Sequence, residues 1–274
     1  MHHLMSVGPS TPRTRAAKLV EESSSYDFPV SLEDAYTRDG VPIPKVRVVM
    51  RGDTRTPLAA VSNKYLLVPH QEVISHAERL ISGLGNPERK FFVTHGGAGL
   101  IGTFTYKEHL RTVKVGDQVG LRVYFENSYN TKCAVKISIG ALVLSCSNGM
   151  VSSRAVYSYT LRHLGTRQTF LRDSMSLPDP GEIMYAYERQ AEVWKSYADY
   201  KIPLDTSVSL GEDLIRARAM PSAFLKSYRP VYTVWDAMQQ ATYFVTHKSP
   251  RLSPGGRMDR LARVSAFFED KFKV

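Results

Sequence analysis

The stretch VGLRVYFENSYNTKCAVKISIGALVLSC, residues 119–146, contains two runs of alternating apolar and polar residues joined by a polar connection at 127–132. Apolar side chains occupy every second position of both runs: Leu121, Val123, Phe125, Val135, Ile137 and Ile139. A period of two is typical of a β-strand with one buried face, so the stretch predicts an antiparallel β-hairpin. The opposite face, which carries Arg122 and Lys136, is predicted to be half exposed.

Just upstream, the glycines of GAGLIG match G-x-G-x-x-G, the pattern that holds a dinucleotide pyrophosphate, at positions 97–102. That site needs a strand before the glycines and a helix that begins at the last of them. Residues 90–94 suit the strand, but residues 103–106 are β-branched or aromatic and predict a second strand. No acidic residue follows at the required distance, where Arg122 stands. The glycines are therefore predicted to form a turn between two strands.

The remaining pattern predicts the α+β class: an antiparallel β-sheet with a β-hairpin packed on helices, plus a mostly helical C-terminal part. Strands are predicted within 45–68. A helix is predicted to begin at Pro69, with an apolar stripe of Val73, Ile74, Ala77, Leu80, Ile81 and Leu84. Later helices are predicted at 181–200, 209–220, 233–248 and 259–272, with a loop at 249–256. The predicted organisation is a disordered tail at 1–25, an α+β nucleic-acid-binding core at 26–172 and a helical region at 173–274 packed on that core.

Positive charge is concentrated in one part of the chain. The 274 residues carry a net charge of +10, and between Lys107 and Arg172 ten basic residues accompany only three acidic ones. Polyanions, above all nucleic acid, are the natural partners of such a surface. The alternative is a merely basic surface without a specific ligand.

Sequence motifs for catalysis or metal binding are missing. The chain has two cysteines and eight scattered histidines, and it contains no HExxH, G-x-S-x-G or phosphate-binding G-x-x-x-x-G-K-[ST] pattern. We therefore expect a protein that is not an enzyme and needs no cofactor or metal, although a triad assembled in space stays open. Few cysteines and the lack of a long apolar run favour the cytoplasm and no membrane contact.

Basic and aromatic residues interleave after residue 150, which suits binding to phosphates and exposed bases. The residues predicted to bind nucleic acid are Arg122, Lys132, Lys136, Arg154, Tyr157, Arg162, His163 and Arg167. Asn127, Ser128, Asn148 and Gly149 are predicted to shape the turns that present the strands. For the aromatic residues, ordinary packing in the core or an interface is an equal alternative to nucleic-acid binding. For Arg122 and Lys136, the equal alternative is a place on a solvated sheet face without a ligand.

Several short motifs resemble the phage- and plasmid-type family known as domain of unknown function 932 (DUF932). The resemblance covers about residues 45–265 and lies on three segments: VSNKYLLVPHQEVI, the run from Asn127 to His163, and TVWDAMQQATYFVTH. The positions that match are Val61, Ser62, Tyr65, His70, Glu72, Asn127, Ser128, Asn130, Cys146, Asn148, Gly149, Met150, Arg162, His163, Trp235, Ala241, Thr242 and His247. Gln240 and Thr246 depart from the pattern, which affects the expected hydrogen bonding of the last segment.

More distantly, the layout is similar to the single-strand annealing proteins of phage recombination, of the Red-beta, RecT and radiation-sensitive-fifty-two type. That resemblance implies ATP-independent binding and annealing of single-stranded DNA by a homo-oligomeric ring or filament in a bacterial host cell. A phage exonuclease or a host single-strand-binding protein would be further partners. The alternative is a phage-encoded interaction or structural protein with a basic face that binds nucleic acid or a host protein nonspecifically.

Overall fold

The structure is a computed structural model that describes residues 18–20, 26–143, 157–165, 178–249, 252 and 254–273. Nine strands occur in these ranges. Their bounds are β1 (Lys18–Val20), β2 (Val30–Tyr36), β3 (Pro42–Arg51), β4 (Thr56–Ser62), β5 (Glu88–Thr94), β6 (Gly99–Lys114), β7 (Asp117–Ser128), β8 (Val135–Val143) and β9 (Tyr157–Leu161).

The strands form two antiparallel sheets. The larger sheet has the order β1-β5-β6-β7-β8-β9, and the smaller has the order β2-β3-β4. The predicted hairpin is β7–β8, in which Val123 pairs with Ile139 and Glu126 with Lys136. The strands predicted within 45–68 correspond to β3 and β4, but the sequence analysis did not predict β2 and did not separate these strands as a second sheet. Strand β1 lies within the segment that was predicted to be a disordered tail.

Five α-helices complete the described part of the chain. They are α1 (His70–Leu80), α2 (Pro180–Asp199), α3 (Leu204–Arg216), α4 (Val234–His247) and α5 (Pro254–Lys271). Two of the predicted helix starts were about five residues late. Helix α3 begins directly after Pro203 and has Asp205 in its first turn, and α5 begins at Pro254, within the predicted loop. Both starts follow from the preference of proline for the beginning of a helix.

One apolar core joins the larger sheet to the helices. The inward residues of the β7–β8 hairpin are fully buried, as the alternation predicted, and they pack with the α1 stripe and with Trp194 and Trp235 of α2 and α4. The smaller sheet has a separate core built from Phe28, Val49, Val61, Tyr65 and Tyr129. These findings confirm the α+β class with a helical C-terminal part.

The second face of the hairpin is less exposed than predicted. Tyr124 and Glu126 are 7% and 4% exposed, and Arg122 is partly buried. Lys136 Nζ lies 3.0 Å from a carboxylate oxygen of Asp259, near the beginning of α5. Period two in the sequence shows which residues share a face, but it does not show that a distant helix reaches over that face.

The glycine stretch forms the predicted turn between β5 and β6. Residues 99–114 are a strand, so no helix follows the glycines. His95, Gly96 and Gly97 all have positive φ, at 52°, 68° and 104°. At Gly102 an added Cβ would collide with the Phe125 ring on β7, so glycine allows the two strands to pack closely.

No helix in the described residues is long and apolar enough to cross a membrane. Within the same ranges, no group of three or more His, Cys, Asp or Glu side chains is placed to hold a metal ion.

Candidate functional site

A buried polar cluster lies where the ends of β7 and α1 meet. It consists of Tyr65, His70, Asn127, Ser128, Tyr129 and His163. The amide of Asn127 donates to the backbone oxygen of Val68 at 2.9 Å and lies 3.0 Å from Nδ1 of His70. Nε2 of His70 lies 3.0 Å from the Gly97 oxygen, so His70 donates through Nε2 and accepts through Nδ1.

His70 is therefore neutral. Its side chain is fully buried, and this burial lowers its pKa to about 3. Its backbone N–H donates to the Tyr129 hydroxyl at 2.8 Å, and the two rings stack with centroids 4.0 Å apart. A neutral imidazole with both nitrogens engaged ties α1 to the turn at residues 95–97.

The rest of the polar cluster fixes the connection after β7. The Tyr65 hydroxyl donates to the backbone oxygen of Ser128 at 2.8 Å. The Ser128 hydroxyl donates to the backbone oxygen of Cys133 and accepts from its backbone N–H, both at 3.0 Å. The ring of His163 stacks on Tyr65 at 4.9 Å, and its Nδ1 lies 3.0 Å from the Leu66 oxygen. Burial lowers the pKa of His163. These hydrogen bonds fix both ends of the segment 128–133, which carries Lys132.

A groove of about 780 Å³ lies next to the polar cluster, between the smaller sheet and the β7–β8 connection. Three exposed cations line it: Lys45 from β3, Lys132 from the connection and Arg162 after β9. Among the described residues that line the groove, none is an aspartate or glutamate. Uncompensated positive charge in a cleft attracts anions and concentrates the field of each cation.

The rings that line the groove are not free to receive a base. Tyr65 and His163 are each 7% exposed and stack on each other. The remaining walls are small or aliphatic, such as Val46, Ala60 and Ala134. The groove can therefore hold phosphates by charge, with aliphatic contact to the rest of a bound chain.

A sequence model of the domain of unknown function DUF932 matches residues 57–265. This chain belongs to the DUF932 family. The match includes the buried polar cluster and two of the three groove cations, and it confirms the family resemblance of the sequence motifs. No curated protein and no solved structure matches the chain.

In this DUF932 protein, the structure brings together only some of the predicted nucleic-acid-binding residues. Lys132, Arg162 and His163 line the groove, although His163 does so as a buried neutral ring. Tyr157 is half buried on β9 and packs against the main core. Arg154 and Arg167, and the predicted turn residues Asn148 and Gly149, lie outside the described residues.

Arg122 and Lys136 lie away from the groove and have partners inside the protein. Nε of Arg122 donates to the Thr105 hydroxyl at 3.2 Å, and burial lowers the pKa of this arginine. Lys136 pairs with Asp259 at 3.0 Å and lies 3.9 Å from Glu126. Because of these partners, Arg122 and Lys136 are less available to bind an anionic ligand than Lys132 or Arg162.

Sequence reasoning missed Lys45 as a groove residue. Lys45 begins the KVRVVM strand pattern, far along the chain from the basic segment. It reaches the groove because the smaller sheet packs beside the β7–β8 connection, whose Tyr129 belongs to the core of that sheet. No local pattern in the sequence encodes that docking.

Proposed function

We propose that this DUF932 protein binds single-stranded DNA in the groove without ATP and promotes the annealing of complementary strands. The observation that carries the proposal is the set of three exposed cations, Lys45, Lys132 and Arg162, in a groove whose described lining residues include no carboxylate. Such cations bind the phosphates of a DNA strand whatever its base sequence, and the binding releases counterions from the DNA.

The lining also favours contact with the backbone of the strand over stacking on its bases. The two rings in the groove are buried and stacked on each other. A strand held mainly by its phosphates leaves most bases free to pair, and pairing is what an annealing protein must permit. The resemblance of the sequence to phage annealing proteins supports the same function, and it extends the proposal to a homo-oligomer that works in recombination in the bacterial cytoplasm.

Two measurements on one protein sample test the proposal. We expect fluorescence anisotropy to show tighter binding of a labelled single strand than of the matching duplex. We also expect the protein to accelerate pairing of two complementary oligonucleotides without nucleotide or metal. Lys132→Gln with Arg162→Gln should weaken both effects.

The matched control is Lys114→Gln with Arg111→Gln, which removes two charges that pair with Asp236 and Glu188. This control should bind and anneal like the wild type. No binding of single strands would refute the proposal. Equal affinity for single strands and duplexes would instead favour a nonspecific basic interaction protein.

A further inference from the structure

A second cavity lies directly behind the groove. Its volume is about 320 Å³, and it shares Lys132, Cys133 and Ala134 with the groove lining. The two spaces are therefore neighbours across the same short segment of the β7–β8 connection. This volume is near the lower limit of small-molecule sites, which suits a group the size of one base.

The wall of the second cavity includes a nearly buried carboxylate, that of Glu126. Its Oε2 accepts a hydrogen bond from the Tyr124 hydroxyl at 2.8 Å. The cation nearest to Oε1 is Lys136 at 3.9 Å, beyond hydrogen-bond distance, and Lys136 lies closer to Asp259. Within the described ranges Oε1 accepts no hydrogen bond, so the carboxylate keeps acceptor capacity for a further donor.

Burial of this carboxylate is costly for the fold. Glu126 is 4% exposed, and burial raises its pKa, against the effects of Tyr124 and Lys136. A buried carboxylate that lacks a full set of donors is destabilising unless something outside the chain supplies one. The cavity beside this carboxylate, which shares part of its wall with the groove, gives such a donor a place to bind.

The wall of the cavity also contains strained backbone. His95 has a φ of 52°, which is uncommon for a residue with a side chain, and its Nε2 lies 2.9 Å from Nζ of Lys132. Both residues line the cavity. Strain of this kind is often retained where a site must present a group in a fixed position, and here it places His95 beside the lysine that the two spaces share.

We propose that the second cavity receives one base of the strand bound in the groove, and that Glu126 accepts a hydrogen bond from the exocyclic amino group of that base. The proposal rests on the proposed function, because the groove must first hold the strand. Cytosine and adenine carry such an amino group, whereas thymine presents a carbonyl oxygen at the equivalent position. Turning one base out of a single strand costs less than turning it out of a duplex.

The test compares oligo(dC) with oligo(dT) of equal length, which carry equal charge. By fluorescence anisotropy we expect the wild type to bind oligo(dC) about tenfold more tightly, the effect of one good base contact. Glu126→Gln should remove most of this preference. The glutamine amide can donate to the thymine carbonyl as well as accept from the cytosine amino group, so it does not distinguish the two bases. The control Glu192→Gln makes the same charge change on an exposed part of α2 and should keep the preference.

A second variant guards against a fold defect in Glu126→Gln. Ile101→Phe adds bulk to the wall of the second cavity at a residue that does not line the groove, and it should abolish the preference while oligo(dT) still binds. Equal affinity of the wild type for both strands would overturn the base site and leave the phosphate groove intact. Failure to bind either strand would overturn both proposals, and a preference that survives both variants would overturn the role of the cavity.

Discussion

The buried polar cluster and the adjacent groove share Tyr65 and His163 but use polar groups in opposite ways. In the cluster, His70 and Asn127 are buried, neutral and hydrogen-bonded to the backbone. In the groove, Lys132 and Arg162 are exposed cations without a carboxylate in the described lining. The comparison teaches that motif residues such as His70 and Asn127 build the fold, whereas the proposed binding rests on cations that have no carboxylate in the described groove lining, among them the motif residue Arg162.

The largest effect that separates the two regions is expected from Asn127→Ala. The substitution removes the donor to the Val68 oxygen and to Nδ1 of His70 and leaves both buried groups unsatisfied. We expect the free energy of unfolding to fall by about 2–4 kcal/mol, measured by urea denaturation. Asn63→Ala, at an exposed position, is the control and should change it by less than about 0.5 kcal/mol. Similar values for the two variants would mean that the cluster does not hold the fold.

An intermediate effect is expected from pH. Burial lowers the pKa of His70 to about 3, whereas in the unfolded chain it is about 6.5. The unfolded state therefore binds a proton that the folded state excludes, so this stability is complete above pH 6.5 and is lost as the pH falls. The loss from His70 approaches about 1.4 kcal/mol per pH unit. Urea denaturation between pH 7 and 5 should show a smaller slope for His70→Gln than for the wild type. Equal slopes would show that His70 is not held neutral.

The smallest effect on stability is expected in the groove. Lys132→Gln and Arg162→Gln alter exposed side chains, so we expect each to change the free energy of unfolding by no more than about 0.5 kcal/mol. Thermal and urea denaturation of the two variants provide the measurement. A loss of 2 kcal/mol or more would place these residues with the cluster and would remove the contrast between the two regions.

Much of the fold could be predicted because its signals are local. The alternation in the β7–β8 hairpin, the apolar stripe of α1 and the β-branched residues after the glycines each predicted the correct element. The starts of α3 and α5 lie about five residues before the predicted ones, because each helix begins at or directly after a proline and its first turn has no apolar stripe. The site was harder to predict, since Lys45 joins it only through the docking of two sheets.

The burial of the polar strand face was the second feature that the sequence did not predict. The sequence shows that Arg122 and Lys136 share a strand face with Glu126, but the approach of Asp259 from α5 depends on tertiary structure. A local pattern therefore indicates which residues are cationic, and only the assembled fold shows which of them keep charge for a ligand.

The most direct test of the central claim is the salt dependence of single-strand binding. The wild type is compared with the triple variant Lys45→Gln, Lys132→Gln and Arg162→Gln. The control triple variant, Lys107→Gln, Arg111→Gln and Lys114→Gln, removes three cations that pair with carboxylates. For single strands each lost phosphate contact reduces the slope of log K against log salt by about 0.7, so the groove variant should lose about two units and the control almost none. Equal slopes for the wild type and the groove variant would contradict the account.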